Sequence, residues 1–311
     1  MIPIEWLDEA AQRIAPHITH TPLFYDGEHD FFIKWESYQV TGSFKARGAL
    51  NKVLALQDWE RDMGLVTASA GNHGQGVALA GELTGCKVTV FVPHDATPRK
   101  IDAMRTRGAV VHLVEGGYAQ AESAGRAFAD QHAATWVSAY NDGLVIAGQG
   151  TVGLETLAEL PPLANSSWVV PTGGGGLLSG IGAGLTARAP GSRLVGVQPQ
   201  NSPFFYELWH GRSQAHIRET PTLAEGLAGA IEETALTIPL ARQLAHDMVL
   251  VTEAELAAAV RFAWQRYGEP IEPSGAAGLA AVLSGKVLQR PAVVVVTGGN
   301  IQPELHAQLV K

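Results

Sequence analysis

The chain is poor in cysteine: Cys86 is the only one in 311 residues. That excludes an intrachain disulfide and any zinc site built on several thiolates, and it fits a reducing compartment. Cys86 itself reads as a small buried hydrophobe beside a strand. Positive charge is also in short supply, with 22 Lys and Arg against 30 Asp and Glu, a formal net charge of −8. The basic residues form no cluster, so neither nucleic acid nor an anionic membrane surface is an expected partner. No apolar run approaches the ~18 residues of a membrane span. The opening MIPIEWLDEA lacks the basic-then-apolar order of a signal peptide. The expectation is a cytoplasmic protein with no membrane partner. Repeats, low-complexity tracts and an obvious flexible linker are missing too.

What is present is alternation. From residue 64, short β-branched runs take turns with Ala-rich amphipathic stretches, the pattern of a parallel sheet covered by helices. GLVTA leads through SAGNHG into QGVALAGELTG, KVTVFVP into TPRKIDAMRTRG, AVVHLVE into YAQAESAGRAFADQH, and WVSAY closes the series. This predicts one compact domain over residues 52–142. A second series begins after the predicted helix of NDGLVIAGQGTVGLETLAEL. It contains SSWVVPT, a glycine run with its helix, RLVGVQP and AVVVVTGGN. The second domain is therefore expected to combine residues 1–51 with 143–311, and the chain length favours two domains.

Glycine-rich stretches fall at the C-terminal ends of predicted strands, where open α/β sheets place their ligands. In SSWVVPTGGGGLLSGIGAGL the strand should end at Pro171 and the helix begin near Leu177, leaving Gly173 to Gly176 as a turn of exposed N–H groups. Such a turn before a helix N-terminus suits an anion. It is not a P-loop, because no Gly-Lys-Ser/Thr follows. A dinucleotide site would want an acidic residue after the next strand, but RLVGVQPQ ends in glutamine. SAGNHGQG offers Ser69, Asn72 and His73 at another helix start, where Ser69 and Asn72 either bind a small anion or only cap the helix. Thr297, in VVVVTGGN, ends a strand apolar throughout, and its hydroxyl faces a ligand or caps a turn. In KWESYQVTGSFKARGA, Lys45 stands between a Thr-Gly-Ser-Phe turn and a helix start. A surface lysine would need no such setting.

One cofactor makes these features a single site. Pyridoxal 5'-phosphate needs a lysine for its imine, an anion cradle for its phosphate, and partners for its phenolic oxygen and ring nitrogen. Lys45, the Gly173 to Gly176 turn, Asn72 and Thr297 would supply these in turn. The ordered segments KWESYQVTGSFKARGA, TASAGNHGQGVALA, AGQGTVGLE, TGGGGLLSGI, EPSGAA and VTGGN resemble the fold type II pyridoxal-phosphate enzymes, in the threonine/serine dehydratase and serine racemase family. The similarity runs over residues 20–303. It implies an α/β, tryptophan synthase beta-like fold of two doubly wound domains with the cofactor in the cleft.

Residue by residue, the resemblance implies that Lys45 carries the imine and then acts as base at Cα, and that Phe44 packs on the ring face. It further implies that Asn72 bonds the ring oxygen and that Gly173, Gly174, Gly175, Gly176 and Leu177 hold the phosphate. Thr297, where serine is common in the family, would face the ring nitrogen. Gly226, in AEGLAG, would line the pocket, and Glu272, in EPSGA, would lie near the cofactor or cap a turn. The substrate carboxylate would sit on the loop of Ser69, Ala70, Gly71, Asn72 and His73, with Thr41 or Gln149 assisting. The implied activity is an ammonia-lyase that eliminates the β-hydroxyl of an amino acid such as L-threonine or L-serine, in a homodimer. A serine racemase, a hydroxyaspartate-type dehydratase and a β-replacing synthase are the alternatives within the fold. SAGNHG is similar to the dehydratase branch rather than to the TSGN-type loop of cysteine synthases. Where the racemase has a serine before Gly-Asn-His, this chain has Ala70. Where the racemase-like branch has acidic metal ligands, this chain has VGVQPQNSPFF, with Gln198 and Phe204, so no dedicated divalent-metal site is expected. Nor is an appended amino-acid-binding regulatory module expected after VTGGNIQPEL.

Overall fold

The computed structural model describes residues 1–94, 96–160 and 166–311. In chain order its strands are β1 (Leu23–Asp26), β2 (Phe31–Trp35), β3 (Leu65–Ala68), β4 (Val88–Pro93), β5 (Val110–Val114), β6 (Thr135–Trp136), β7 (Ser167–Pro171), β8 (Arg193–Pro199), β9 (Asp247–Val251) and β10 (Ala292–Val296). They form a four-stranded sheet in the order β5-β4-β3-β6 and a six-stranded sheet in the order β1-β2-β10-β7-β8-β9. All pairs are parallel except the β1–β2 hairpin.

Parallel pairing forces each connection to cross over through a helix, which buries both faces of the central strands. The five residues of β10 are all buried, as the unbroken run AVVVV requires. Period-two geometry then divides them. Val293 and Val295 enter the core that holds Trp168 and Phe205, whereas Ala292, Val294 and Val296 enter the core on the other face with Leu256 and Leu279. The smaller sheet is packed in the same way, with Val90 and Val92 on one face and Phe91 on the other.

Strand order decides where ligands can sit. In the larger sheet the chain moves from β7 outward to β8 and β9, then returns with β10 on the opposite side of β7. In the smaller sheet it moves from β3 outward to β4 and β5, then returns with β6 on the opposite side of β3. Each reversal opens a crevice at the C-terminal strand ends. β7 and β10 lead directly into Gly173 and Thr297, and β3 leads into Ser69.

Three helices meet behind these crevices. Lys45–Leu54 crosses Gly143–Glu159 at a contact too close for side chains: a Cβ on Gly148 would lie 2.6 Å from the carbonyl of Arg47, and one on Gly48 2.9 Å from that of Val145. On its other side, Gly76 of the helix Asn72–Thr84 lies against Lys45, where a Cβ would approach the carbonyl within 3.1 Å. The start of helix Lys45–Leu54 is thereby fixed between both sheets.

Some elements differ from the sequence expectation. Of WVSAY only Trp136 belongs to a strand, β6, which it forms with Thr135 before it, because the chain then turns toward the helix at Gly143. The helix after the glycine turn begins at Gly176, one residue earlier than expected. FFIKW and DMVLV, unread as strands, are β2 and β9. Among the described residues no helix is long and apolar enough to cross a membrane.

Candidate active site

A cleft of about 320 Å³ lies where the two crevices face each other. Its lining includes Phe44, Lys45, the loop Ser69 to His73, Gln149, Gly173 to Leu177, Gly226, Glu272 and Thr297. These residues come from distant parts of the chain.

Lys45 is the first residue of its helix, and it is half-buried on the wall of the cleft. Burial pushes the ammonium down to about 8 from its ordinary 10.5. No carboxylate opposes this shift. Nζ donates to the carbonyl of Ala139 at 2.9 Å and stands 5.1 Å from the centroid of the Phe44 ring. The same carbonyl accepts Gln149 Nε2 at 3.2 Å, while Gln149 Oε1 is buried without a partner.

The glycine turn is held by close packing. A Cβ on Gly174 would lie 2.3 Å from the Tyr140 ring, one on Gly175 2.4 Å from the Phe205 ring, and one on Gly176 2.5 Å from Gln149 Oε1. Gly175 also has φ +82°, in the left-handed region where glycine is at ease. Among the described residues no acceptor takes the N–H groups of Gly173, Gly174 or Gly175. They stand at the positive end of helix Gly176–Arg188 and form a cradle for an anion.

The second helix start has a different construction. Ser69 Oγ accepts the N–H of Gly71 at 3.1 Å. Asn72 and Ser69 do not cap helix Asn72–Thr84, which has no side-chain cap hydrogen bond. Instead Asn72 is clamped from both ends: Nδ2 donates to Glu272 Oε1 at 2.7 Å, and Oδ1 accepts Asn300 Nδ2 at 2.8 Å. Asn300 is anchored in turn on the carbonyl of Thr41 at 2.8 Å. Burial pushes the Glu272 carboxyl up to about 7, against the pull of the Asn72 hydrogen bond. The buried His73 places Nε2 3.0 Å from the carbonyl of Val137 and leaves Nδ1 without a partner. Burial, helped by the charge of Lys45, holds this imidazole down to about 3. It is neutral at physiological pH.

Thr297 lines the cleft just past the end of β10. Its carbonyl accepts the N–H of Phe44 at 3.1 Å, tying the strand to the residue before Lys45. Gly226 donates its N–H to Ser274 Oγ at 2.9 Å. Thr41 is the one suggested residue outside the lining, with a buried hydroxyl that has no partner. Sequence reasoning missed Asn300 and Tyr140. Asn300 ends the VTGGN segment, which was the available signal. Nothing local in SAYND announces that Tyr140 packs on the glycine turn.

Among the described residues, one group of possible metal ligands lies elsewhere. His20, Glu155 and Glu159 bring possible ligand atoms within 4.8 Å of one another, but Lys34 and Arg47 already engage the carboxylates.

An amine of lowered basicity, a glycine cradle closed to side chains and a buried amide with an orphan oxygen match the needs of a phosphorylated aldehyde cofactor. The family profile described as pyridoxal-phosphate dependent enzyme matches residues 14–298. The chain belongs to that family, with its fold type II architecture, and its cofactor is pyridoxal 5'-phosphate. It is 37% identical to the L-threonine ammonia-lyase of Thermotoga maritima, in an alignment covering 100% of this chain and 78% of that protein. It is 36% identical to the L-threo-3-hydroxyaspartate ammonia-lyase of Pseudomonas sp., covering 97% of each. Among solved structures, maize serine racemase superposes with a TM-score of 0.89 at 30% identity, covering 98% of this chain and 96% of that one.

Proposed function

We propose that this protein is a pyridoxal-phosphate-dependent ammonia-lyase that converts a β-hydroxy amino acid such as L-threonine or L-serine into a 2-oxo acid and ammonia. The observation that carries the reading is the meeting, in one cleft, of the Lys45 amine with two helix starts that offer free N–H groups. When bound, pyridoxal phosphate supplies the electron sink for the pair left at Cα.

In this reading Gly173 to Leu177 hold the phosphate, Phe44 covers the ring face and Lys45 holds the aldehyde carbon. Asn72 keeps one amide hydrogen for the ring oxygen, since Glu272 takes only the other. Thr297 faces the ring nitrogen. A neutral hydroxyl there stabilises a protonated nitrogen far less than a carboxylate would, which favours loss of the β-substituent over prolonged storage of charge. The substrate carboxylate rests on the helix-start amides of Asn72 and His73, beside Ser69, Ala70 and Gly71. Gln149, Gly226 and Glu272 complete the walls.

With an amine near 8, Lys45 is deprotonated often enough at neutral pH to take the proton from Cα. The Cα–H and Cβ–O bonds break, the β-hydroxyl leaves as water with the proton that Lys45 would take from Cα, and addition of water to the unsaturated C–N carbon then gives the 2-oxo acid and ammonia. Inversion would require a proton donor on the opposite face. Ala70 has a methyl group where the racemase carries a serine, so elimination dominates. The division into residues 1–51 plus 143–311 and 52–142 belongs to the same proposal, as do a cytoplasmic location and a homodimer, the commonest closed assembly.

The test is to incubate the cofactor-loaded protein with L-serine and L-threonine and to quantify 2-oxo acid, ammonia and D-isomer by chiral chromatography. Pyruvate or 2-oxobutyrate in equal amount to ammonia, with negligible D-isomer, is expected. D-serine formed as fast as pyruvate, or no 2-oxo acid from either substrate, would overturn the reading.

A further inference from the structure

We infer that Glu225 sets the substrate class of this cleft: by holding Lys100 in an ion pair it leaves the walls without a free cation, so the site selects β-hydroxy amino acids with uncharged side chains over those bearing a second carboxylate. This rests on the ammonia-lyase reading and narrows it. The two relatives named above differ in just this respect and are almost equally similar to the chain.

A bound substrate brings one α-carboxylate and the cofactor brings one phosphate, and two helix starts, Asn72–Thr84 and Gly176–Arg188, open on the cleft to receive them. A third helix start there, Pro273–Leu283, follows Glu272, whose side chain is engaged by Asn72 and makes no cap hydrogen bond to it, and with proline at its first position it presents one N–H fewer than the other two. A side-chain carboxylate would be a third anion. Among the described residues lining the cleft, the basic ones are Lys45, His73 and Lys100. Lys45 is committed to the cofactor. His73 is buried against the Val137 carbonyl and neutral. Lys100 Nζ lies 3.1 Å from Glu225 Oε2, a pair that links the helix Pro98–Arg105 to the turn Glu225–Leu227 across the cleft.

Nearby, Arg126 is also committed, to Glu122 and Glu232 at 2.8 Å each. The remaining wall combines Pro93, Ala139, Leu227 and Ile231 with the neutral polar residues Tyr118, Tyr140, Thr172 and Ser274, none of them a cation. A carboxylate on Cβ would lose water there without gaining a counter-ion, whereas a methyl group or hydrogen loses nothing.

Glu225 is largely exposed, so its hold on Lys100 is modest and weakened by salt. The experiment compares kcat/KM for L-threonine and L-threo-3-hydroxyaspartate in the holoenzyme. The native ratio should exceed about tenfold in favour of L-threonine. Glu225→Gln should lower that ratio roughly fivefold by raising the hydroxyaspartate value, and adding Lys100→Gln should restore it. A native enzyme that processes hydroxyaspartate as well as threonine, or a Glu225→Gln ratio equal to the native one, would overturn the inference. Calorimetry with L-2-aminobutyrate and L-aspartate, which carry no β-hydroxyl, reads the same selectivity without turnover. Aspartate bound as tightly as aminobutyrate by the native protein would also overturn it. Selective binding of aminobutyrate, with no elimination from any β-hydroxy amino acid, would support the inference and remove the lyase reading alone.

Discussion

Lys45 and Arg47 are two residues apart on one helix, so they project to nearly opposite sides and enter two buried polar regions of opposite character. Around Arg47 every charge has an opposite partner. Its guanidinium reaches Glu36 at 2.7 and 2.8 Å and Glu155 at 2.9 and 3.0 Å, and Lys34 meets Glu155 at 2.8 Å. Opposing charges more than offset desolvation for Glu155, whose carboxyl is lowered to about 2, and hold Arg47 above its ordinary value. Around Lys45 no such matching exists, and burial moves Lys45, His73 and Glu272 toward their neutral forms. Paired charges fix a position; cleft groups without a counter-charge remain able to exchange protons near neutral pH. The ion cluster ties the helix to β2 and to the helix Gly143–Glu159, which carries Gln149, and so holds the amine that the cleft uses.

Substitutions should separate the two regions. Lys45→Ala is expected to lower turnover by about ten-thousandfold or more while leaving unfolding free energy within about 1 kcal/mol of native, because its amine forms no ion pair. Single-turnover assays and urea unfolding check the two halves. Arg47→Met should do the reverse to stability, destabilising the fold by about 3 to 5 kcal/mol, because Glu36 and Glu155 would be left buried without a cation. An Arg47→Met protein as stable as native in urea would break the comparison.

Glu272→Gln gives a smaller effect with a defined pH window. The folded carboxyl titrates near 7, above its ordinary 4.5, so between these values the native state binds more protons than the unfolded chain and stability falls as pH rises. The substitution should be neutral near pH 4 and stabilise the cofactor-free protein by on the order of 3 kcal/mol above about pH 7. Denaturant titrations across that range provide the check. His73 works with the opposite sign, its contribution being present above 6.5 and lost as pH falls toward 3. The smallest effect is expected from Ala70→Ser, which adds a hydroxyl to the loop and should raise the D-serine to pyruvate ratio by roughly threefold. Chiral chromatography of the products measures it.

Much of this was legible because the carriers are local. Gly173 to Gly176, Ser69 to His73, Lys45 and Thr297 each lie at a strand-to-helix or loop-to-helix junction marked by a break in hydrophobic pattern. β2 was less legible: FFIKW carries Lys34, whose charge argues against a buried strand until Glu155 and Glu159, from a distant helix, are seen to neutralise it. β9 went unread because DMVLV opens with a charge and shows no alternation; its mixed exposure in the fold suits the edge of a sheet.

The sequence by itself determined the alternating α/β class, the order of the glycine turns and which residue types could meet a phosphorylated aldehyde, because periodicity and turn chemistry act over a few residues. Tertiary structure alone decided that Asn300 and Glu272 clamp Asn72, that Tyr140 closes on Gly174, and that Lys100 is matched by Glu225. Each depends on groups far apart in the chain, and the protonation of Lys45, His73 and Glu272 depends on how much water the assembled walls exclude. Neither the distance nor the exclusion exists until the two sheets have packed.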